Sequence, residues 1–272
     1  MYNLFDFFPP YAKIYLYVIV GILGLVMGSA LNCLSYRIAH NQKWSGGRSA
    51  CPSCGHTLAT LDLIPLFSWL FLKGKCRYCG KKISPRYPLT EALLALVFIS
   101  LLWRYGLSFD FFSTLVLCSC LFCLSLVDLE TTTIPNRFLI IPAVVRLIQL
   151  FVEGGFKGLL FGVIPGIALG GGMLIISLIM DKILKKDSMG GGDIKLLAVL
   201  GLFLSQYPTC IPQGLLLLLV AAVVGILFAA AVMKVNAETA FPFGPALAIS
   251  AWLTLLFGQY VLDWYSTLFY IY

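Results

Sequence analysis

Apolar runs long enough to cross a bilayer recur along most of this chain, near 12–35, 89–104, 109–127, 138–152, 156–180, 194–208, 212–233 and 245–263. A membrane helix needs about 20 mostly apolar residues. The fourth and sixth runs are short, so the pattern predicts seven or eight spans. Backbone polar groups in lipid must be satisfied within the fold, and runs of this length do so as helices. The expected fold class is therefore an all-α polytopic membrane protein. Composition agrees, since 60% of the 272 residues are hydrophobic and 11% are charged, against about 25% charged in a soluble domain. An ordinary cytosolic enzyme, a disordered chain and a secreted disulfide scaffold are excluded. The first run lacks a basic start and a small-residue cleavage site, and Gly28, Asn32 and Tyr36 extend its pattern, so it reads as a retained span.

Lysine and arginine set the expected orientation. With the N-terminus outside, fifteen of the 19 basic residues fall inside: nine from Arg37 to Arg86, then Arg137, four from Lys182 to Lys195, and Lys234. Lys13, Arg104 and Lys157 fall outside, and Arg146 lies within a span. Such a bias is the signature of inside loops. The net charge of +7 thus speaks of topology, and no nucleic-acid partner is expected. The chain divides into a first span (1–36), a cytoplasmic domain (37–88) and a multi-helix membrane domain (89–272). Gly154, Gly158, Gly162, Gly166 and Gly170 place glycine at every fourth residue of one span, which reads as a face for close helix packing. Pro165 in that span predicts a kink.

Cys51-Pro-Ser-Cys54 and Cys76-Arg-Tyr-Cys79 stand in the cytoplasmic segment, each pair followed by glycine. Two such knuckles match a tetrahedral four-thiolate zinc site. Disulfides are disfavoured on the cytoplasmic side, so metal is the expected staple. A closed four-ligand site folds its loop and performs no chemistry. His56 reads as a solvated loop residue, with metal ligation as the alternative. Cys33, Cys118, Cys120, Cys123 and Cys210 read as buried apolar residues.

Carboxylates at the edges of spans are expensive and point to function. Asp128 follows the third apolar run, and Asp193 follows Gly190-Gly191-Gly192 and precedes the sixth. The charge pattern puts both at the cytoplasmic boundary, where glycine-rich irregular backbone is tolerated if it lines a polar cavity. Two adjacent carboxyl groups share a proton, and such a pair hydrolyses peptides with no covalent intermediate. Position alone leaves a second reading equally open, in which each acid caps a helix or pairs with a base, as Asp193 with Lys195. Glu91, just after Pro88 and Thr90, reads first as a helix-dipole residue. Glu130 reads as solvated, Asp181 and Asp187 as an interfacial mixed-charge face, and Glu238 as a neighbour of the rigid Phe241-Pro-Phe-Gly-Pro245 loop. Asp6, Asp62, Asp110, Glu153 and Asp263 read as surface groups. No P-loop, zincin, dinucleotide-binding or nucleophile-elbow motif is present.

These residues together resemble the type IV prepilin peptidases, the leader peptidase/N-methyltransferase family. The likeness runs from Gly28-Ser29 through Asn32, Tyr36-Arg37, both cysteine knuckles, Ser84-Pro-Arg-Tyr-Pro-Leu-Thr-Glu91, Asp128 and Gly190-Gly-Gly-Asp193-Ile-Lys195 to Pro245. The resemblance implies a membrane aspartic protease of the bacterial inner membrane, with Asp128 and Asp193 catalytic and Gly190, Gly191, Gly192 and Lys195 in the active-site loop. Its substrates would be prepilins and pseudopilins of pilus and type II secretion systems, each a hydrophobic helix behind a short basic leader. Methylation of the new N-terminus with S-adenosylmethionine would follow, with Glu91 on a position associated with that half-reaction. Asn136 stands where many members carry a further acid. The competing classes are an ion-coupled transporter using the same acids and a zinc-stapled scaffold without activity.

Overall fold

The computed structural model describes residues 4–43, 48–51, 53–185, 189–204, 210–232 and 242–269. Lys186, Asp187, Lys234, Glu238 and Phe241 lie outside them, as do the side chains of Asp6 and Cys210. Every apolar run carries a helix. These are α1 (Pro10–Ala39), α3 (Arg86–Tyr105), α4 (Phe109–Thr131), α5 (Arg137–Leu184), α6 (Gly191–Leu202), α7 (Cys210–Val232) and α8 (Gly244–Phe269), with the short α2 (Phe67–Phe71) in the cysteine loop. No strand occurs among the described residues. By length and composition α1, α3, α4, α5 and α8 can each cross a membrane.

The fourth and fifth runs are joined in α5, whose 48 residues are interrupted at Gly155 (φ 58°, ψ −150°). That backbone region is open essentially to glycine alone. A Cβ on Gly158 would lie 2.8 Å from the Leu150 carbonyl oxygen, and one on Gly162 would meet the Leu150 side chain. Residues eight and twelve apart meet only if the chain reverses, so the element is a helical hairpin. The break falls at Gly155, between the two expected runs, and Pro165, where a kink was expected, keeps helical backbone angles.

Two compact units divide the chain, Met1–Phe111 and Phe112–Tyr272. In the first, α1 packs on α3 with backbone nearly touching backbone. A Cβ on Gly24 would lie 2.5 Å from Ala95 Cα, and one on Gly28 would lie 2.9 Å from Glu91 Cα. In lipid, apolar surface gains little by leaving its solvent, so small residues that permit such approach hold helices together. The opposite side of α1 is an outward stripe of the exposed residues Ile14, Val18, Ile22 and Val26, which suits lipid contact.

In the second unit two glycines of the stripe, Gly166 and Gly170, meet α6, while Gly154 faces open space. Gly166 faces the Ala198 carbonyl oxygen, and Gly170 faces Ala198 itself. From the other side, a Cβ on Gly201 would lie 2.6 Å from Gly166 Cα. Leu117, Leu124 and Val127 of α4, Leu196 and Leu197 of α6 and Leu247 of α8 are fully buried in this core. At 12 residues, α6 is about 18 Å long and is too short to span the bilayer alone. Its far end is met by Arg146 of α5, whose Nε donates to the Leu202 carbonyl at 3.1 Å while Nη1 donates to Gln149 at 2.9 Å. An arginine within a span thus satisfies a helix terminus that would otherwise leave a carbonyl without water.

Candidate active site

Asp128 lies in the last turn of α4, and the chain leaves that helix through Thr132, whose φ is 51° and whose N–H returns to the Asp128 carbonyl at 2.8 Å. The Asp128 side chain is buried, 4% exposed. Its Oδ2 accepts the N–H of Gly244, the first residue of α8, at 2.9 Å. An α-helix begins with backbone N–H groups that have no partner of their own, and Asp128 takes one of them from 116 residues away. Among the described residues no donor reaches its other oxygen. Gly244 is required for this approach, since a Cβ there would lie 2.8 Å from Oδ2. The signal in the sequence was the Phe-Pro-Phe-Gly-Pro loop, though not the glycine itself.

Asp193 lies in the first turn of α6, after the cap residue Gly190. It is half-buried, and its backbone N–H bonds the Gly190 carbonyl at 3.1 Å. The two aspartates stand close enough for the charge of Asp128 to act on Asp193. The alternative ion pair is not formed, because Lys195 gives its ammonium to Asn136 at 3.3 Å. A Cβ on Gly190 would lie 3.1 Å from Asp193 Oδ2, one on Gly192 would lie 3.0 Å from Ile134 in the loop after Asp128, and Gly191 is exposed with open space around it. The triple glycine therefore seats the start of α6 against the chain leaving α4.

In the first unit the two knuckles repeat one geometry. The backbone carbonyls of Cys51 and Cys76 accept from the N–H of Gly55 and Gly80 at 2.8 and 2.9 Å, and these glycines have φ of 71° and 70°. Antiparallel bridges Ala50–Thr57 and Lys75–Lys82 close each turn. All four sulfurs lie within 4.8 Å of one another. A tetrahedral zinc with bonds of about 2.3 Å needs thiolates about 3.8 Å apart, so the donor set fits the ion. The N–H groups of Ser53 and Cys54 pull the Cys51 thiol down to about 7. At Cys79 the Lys81 N–H acts in the same sense, but burial and hydrogen bonds shared with the other thiols push it up to about 11. His56 lies instead against the Tyr78 ring, at 3.7 Å between centroids.

Two acids differ from the sequence reading. Asp62 is no free surface group. Its carboxylate accepts from Arg77 at 2.7 Å, Tyr78 at 2.9 Å and the Ala59 N–H at 3.1 Å. Burial opposes its charge, but these three donors hold the carboxyl below the usual range. Glu91 is no helix-dipole residue, because α3 begins at Arg86 and Glu91 stands beyond the first turn. It is 7% exposed, and its Oε2 accepts the Leu66 N–H at 2.8 Å. Leu66 has φ 62° and ψ −52° and sits at the centre of a γ-turn closed by Phe67 N–H to Pro65 carbonyl at 2.6 Å. That turn of positive φ is rare and strained.

Residues 22–105 match the family described as Bacterial Peptidase A24 N-terminal domain, and residues 115–230 match the Type IV leader peptidase family. The Prepilin leader peptidase/N-methyltransferase of Bacillus subtilis is 33% identical over 258 residues, covering 91% of this chain and 96% of that protein. The chain belongs to the type IV leader peptidase family. The Aeromonas hydrophila protein of the same name is 36% identical over 228 residues (82% of this chain, 76% of its own). The Neisseria gonorrhoeae one is 30% identical over 276 residues (92% and 94%). No solved structure matches the chain.

Proposed function

We propose that this chain is a bifunctional enzyme of the bacterial inner membrane that cuts the basic leader from prepilins and pseudopilins and then methylates the new N-terminus. The observation that carries the reading is that Asp128 and Asp193, 65 residues apart in sequence, come within electrostatic reach of each other where Gly192 packs against Ile134. The relatives' names support both activities. An ion-coupled transporter and an inert scaffold have no such support.

In this mechanism the cysteine domain and both aspartates face the cytoplasm. A substrate's apolar helix lies along the bundle by van der Waals packing and brings its scissile carbonyl to the pair. The ionised aspartate takes a proton from water as the oxygen attacks the carbonyl carbon. Its protonated partner hydrogen-bonds the carbonyl oxygen and then protonates the leaving amine. Gly244 N–H holds Asp128 in place by one oxygen, leaving the other for water or substrate. Lys195, tied to Asn136, keeps its charge off Asp193. Cys51, Cys54, Cys76 and Cys79 would hold a structural zinc that folds the loop and takes no part in hydrolysis. S-adenosylmethionine, when bound, supplies a methyl carbon that leaves sulfur for the lone pair of the pilin amine, giving S-adenosylhomocysteine and one proton to be removed. Glu91, which also accepts from Leu66 and Ser29, would take that proton.

Detergent-purified protein mixed with a prepilin and S-adenosylmethionine should yield a shortened pilin bearing one added methyl group by mass spectrometry. An uncut prepilin refutes the peptidase, and a cut but unmethylated pilin refutes the second activity. Metal analysis should give about one zinc per chain, and Cys76→Ser should lose it and open residues 37–88 to protease. Sub-stoichiometric metal with two disulfides would overturn the zinc assignment.

A further inference from the structure

Exposed apolar side chains gather on the cysteine loop. Leu61, Phe67, Leu70 and Phe71 are all exposed, Phe71 by 83%. The spacing of Phe67, Leu70 and Phe71 puts these three on one face of α2. Trp69 turns the other way, donating its Nε1–H to the Ile83 carbonyl at 3.2 Å, and a Cβ on Gly74 would lie 2.9 Å from its ring. The loop is held from two further sides. Leu66 N–H is taken by Glu91, and Asp62 is gripped by Arg77 and Tyr78, the two residues between Cys76 and Cys79. Apolar groups clustered on so firmly held a loop mark a contact surface, unlike single exposed residues.

The level of the loop along the membrane helices says what covers it. Glu91 stands five residues after Arg86, where α3 begins, or about 7.5 Å along the helix axis. Its Cα lies beside Gly28, eleven residues before Ala39, where α1 ends, or about 16 Å from that end. Leu66, bonded to Glu91, therefore lies alongside two helices able to span the membrane, not beyond their ends. Leu89, Leu93 and Leu96 on α3 are exposed as well, so the span beside the loop is itself lipid-facing. Charge around the patch has one sign. Lys73 and Lys75 follow α2 directly, then Lys81, Lys82 and Arg86, all exposed. Asp62, the one acid from Leu61 to Arg86, is neutralised by Arg77 at 2.7 Å. Such a border repels the basic leader of a prepilin and attracts anionic headgroups.

We infer that Leu61, Phe67, Leu70 and Phe71 dip into the bilayer interface, with Lys73 and Lys75 on anionic phospholipid, so that the four-cysteine domain is docked on the membrane beside α1 and α3. Aromatic and leucine side chains backed by lysine are the residents of that boundary. The inference needs the bilayer and neither of the proposed activities.

The test is photo-cross-linking of the full-length protein in vesicles of phosphatidylethanolamine and phosphatidylglycerol. The photoreactive amino acid p-benzoylphenylalanine is placed at position 71 and, separately, at position 57, which is exposed on the first knuckle. Mass spectrometry should find a phospholipid adduct at 71 and none at 57. Lys73→Gln combined with Lys75→Gln should bring the phosphatidylglycerol share of that adduct down to its share of the vesicle, and an unchanged share removes the headgroup contact. Zinc content and melting temperature check that each variant is folded. In a folded protein, no lipid adduct at 71, equal lipid labelling at 71 and 57, or an adduct to prepilin, to a second copy or to another part of this chain in place of lipid overturns the inference. Prepilin cleavage in the same vesicles is scored separately, so its loss leaves the docking result standing.

Discussion

Replacing either Asp128 or Asp193 with asparagine should lower prepilin cleavage by about 10³-fold or more, since general acid–base groups contribute about 10² to 10⁴ each and here neither can act alone. Asparagine has nearly the same shape, and at 128 its amide oxygen can still accept the Gly244 N–H. The fold should therefore persist, with zinc content and melting temperature close to wild type. What asparagine cannot do is gain or lose a proton. The double variant should be no worse than the single ones, because the two side chains act as one device. Initial rates on a purified prepilin are the measurement. A single variant that retains more than about a tenth of wild-type cleavage would show that the pair is structural.

Gly244→Ala should be the most damaging change outside the aspartates. The added methyl carbon would lie 2.8 Å from Asp128 Oδ2 and 3.3 Å from its carboxyl carbon, closer than side chains tolerate. Either the carboxylate rotates or the start of α8 moves, and in both cases the hydrogen bond is lost and the reacting oxygen is displaced. A misplacement of about 1 Å can cost roughly 10²-fold. The loss should fall on kcat with KM nearly unchanged, because the substrate's apolar helix binds elsewhere. Gly172→Ala in α5, where nothing lies within 4 Å of the new carbon, is the control and should cleave normally. An unimpaired Gly244→Ala enzyme would show that Asp128 does not need its present position.

The parts of this protein that depend on near neighbours in sequence were legible before any coordinates. Apolar runs predicted the positions of the helices, and their edges moved by only a few residues. The cysteine knuckles were legible because two ligands three residues apart, followed by glycine, already define a local turn. The basic loops set only an expectation of depth, with Asp128 and Asp193 at one boundary. Less legible was anything set by a distant partner. Asp62 looked like surface because its partners Arg77 and Tyr78 come 15 and 16 residues later. Glu91 looked like a helix-dipole residue because the Leu66 N–H that it holds belongs to a loop 25 residues away. The two apolar runs already left a gap at residues 153–155, but that the chain reverses there was not legible; the hairpin needs a residue that can take φ 58°, which is Gly155.

By itself, then, the amino-acid order determined a helical membrane protein, a four-thiolate loop and two acids of interest, because periodicity and spacing are local properties. Tertiary structure alone decided which groups meet. The glycine stripe of α5 brings α6 into backbone contact, Arg146 closes the end of that short helix, and Gly244 gives its N–H to a carboxylate 116 residues earlier. Each of these depends on a backbone atom, which every residue type carries alike. The glycine repeat announced a close contact but not its partner, and only the packing of the helices brings each of these groups to the one it meets.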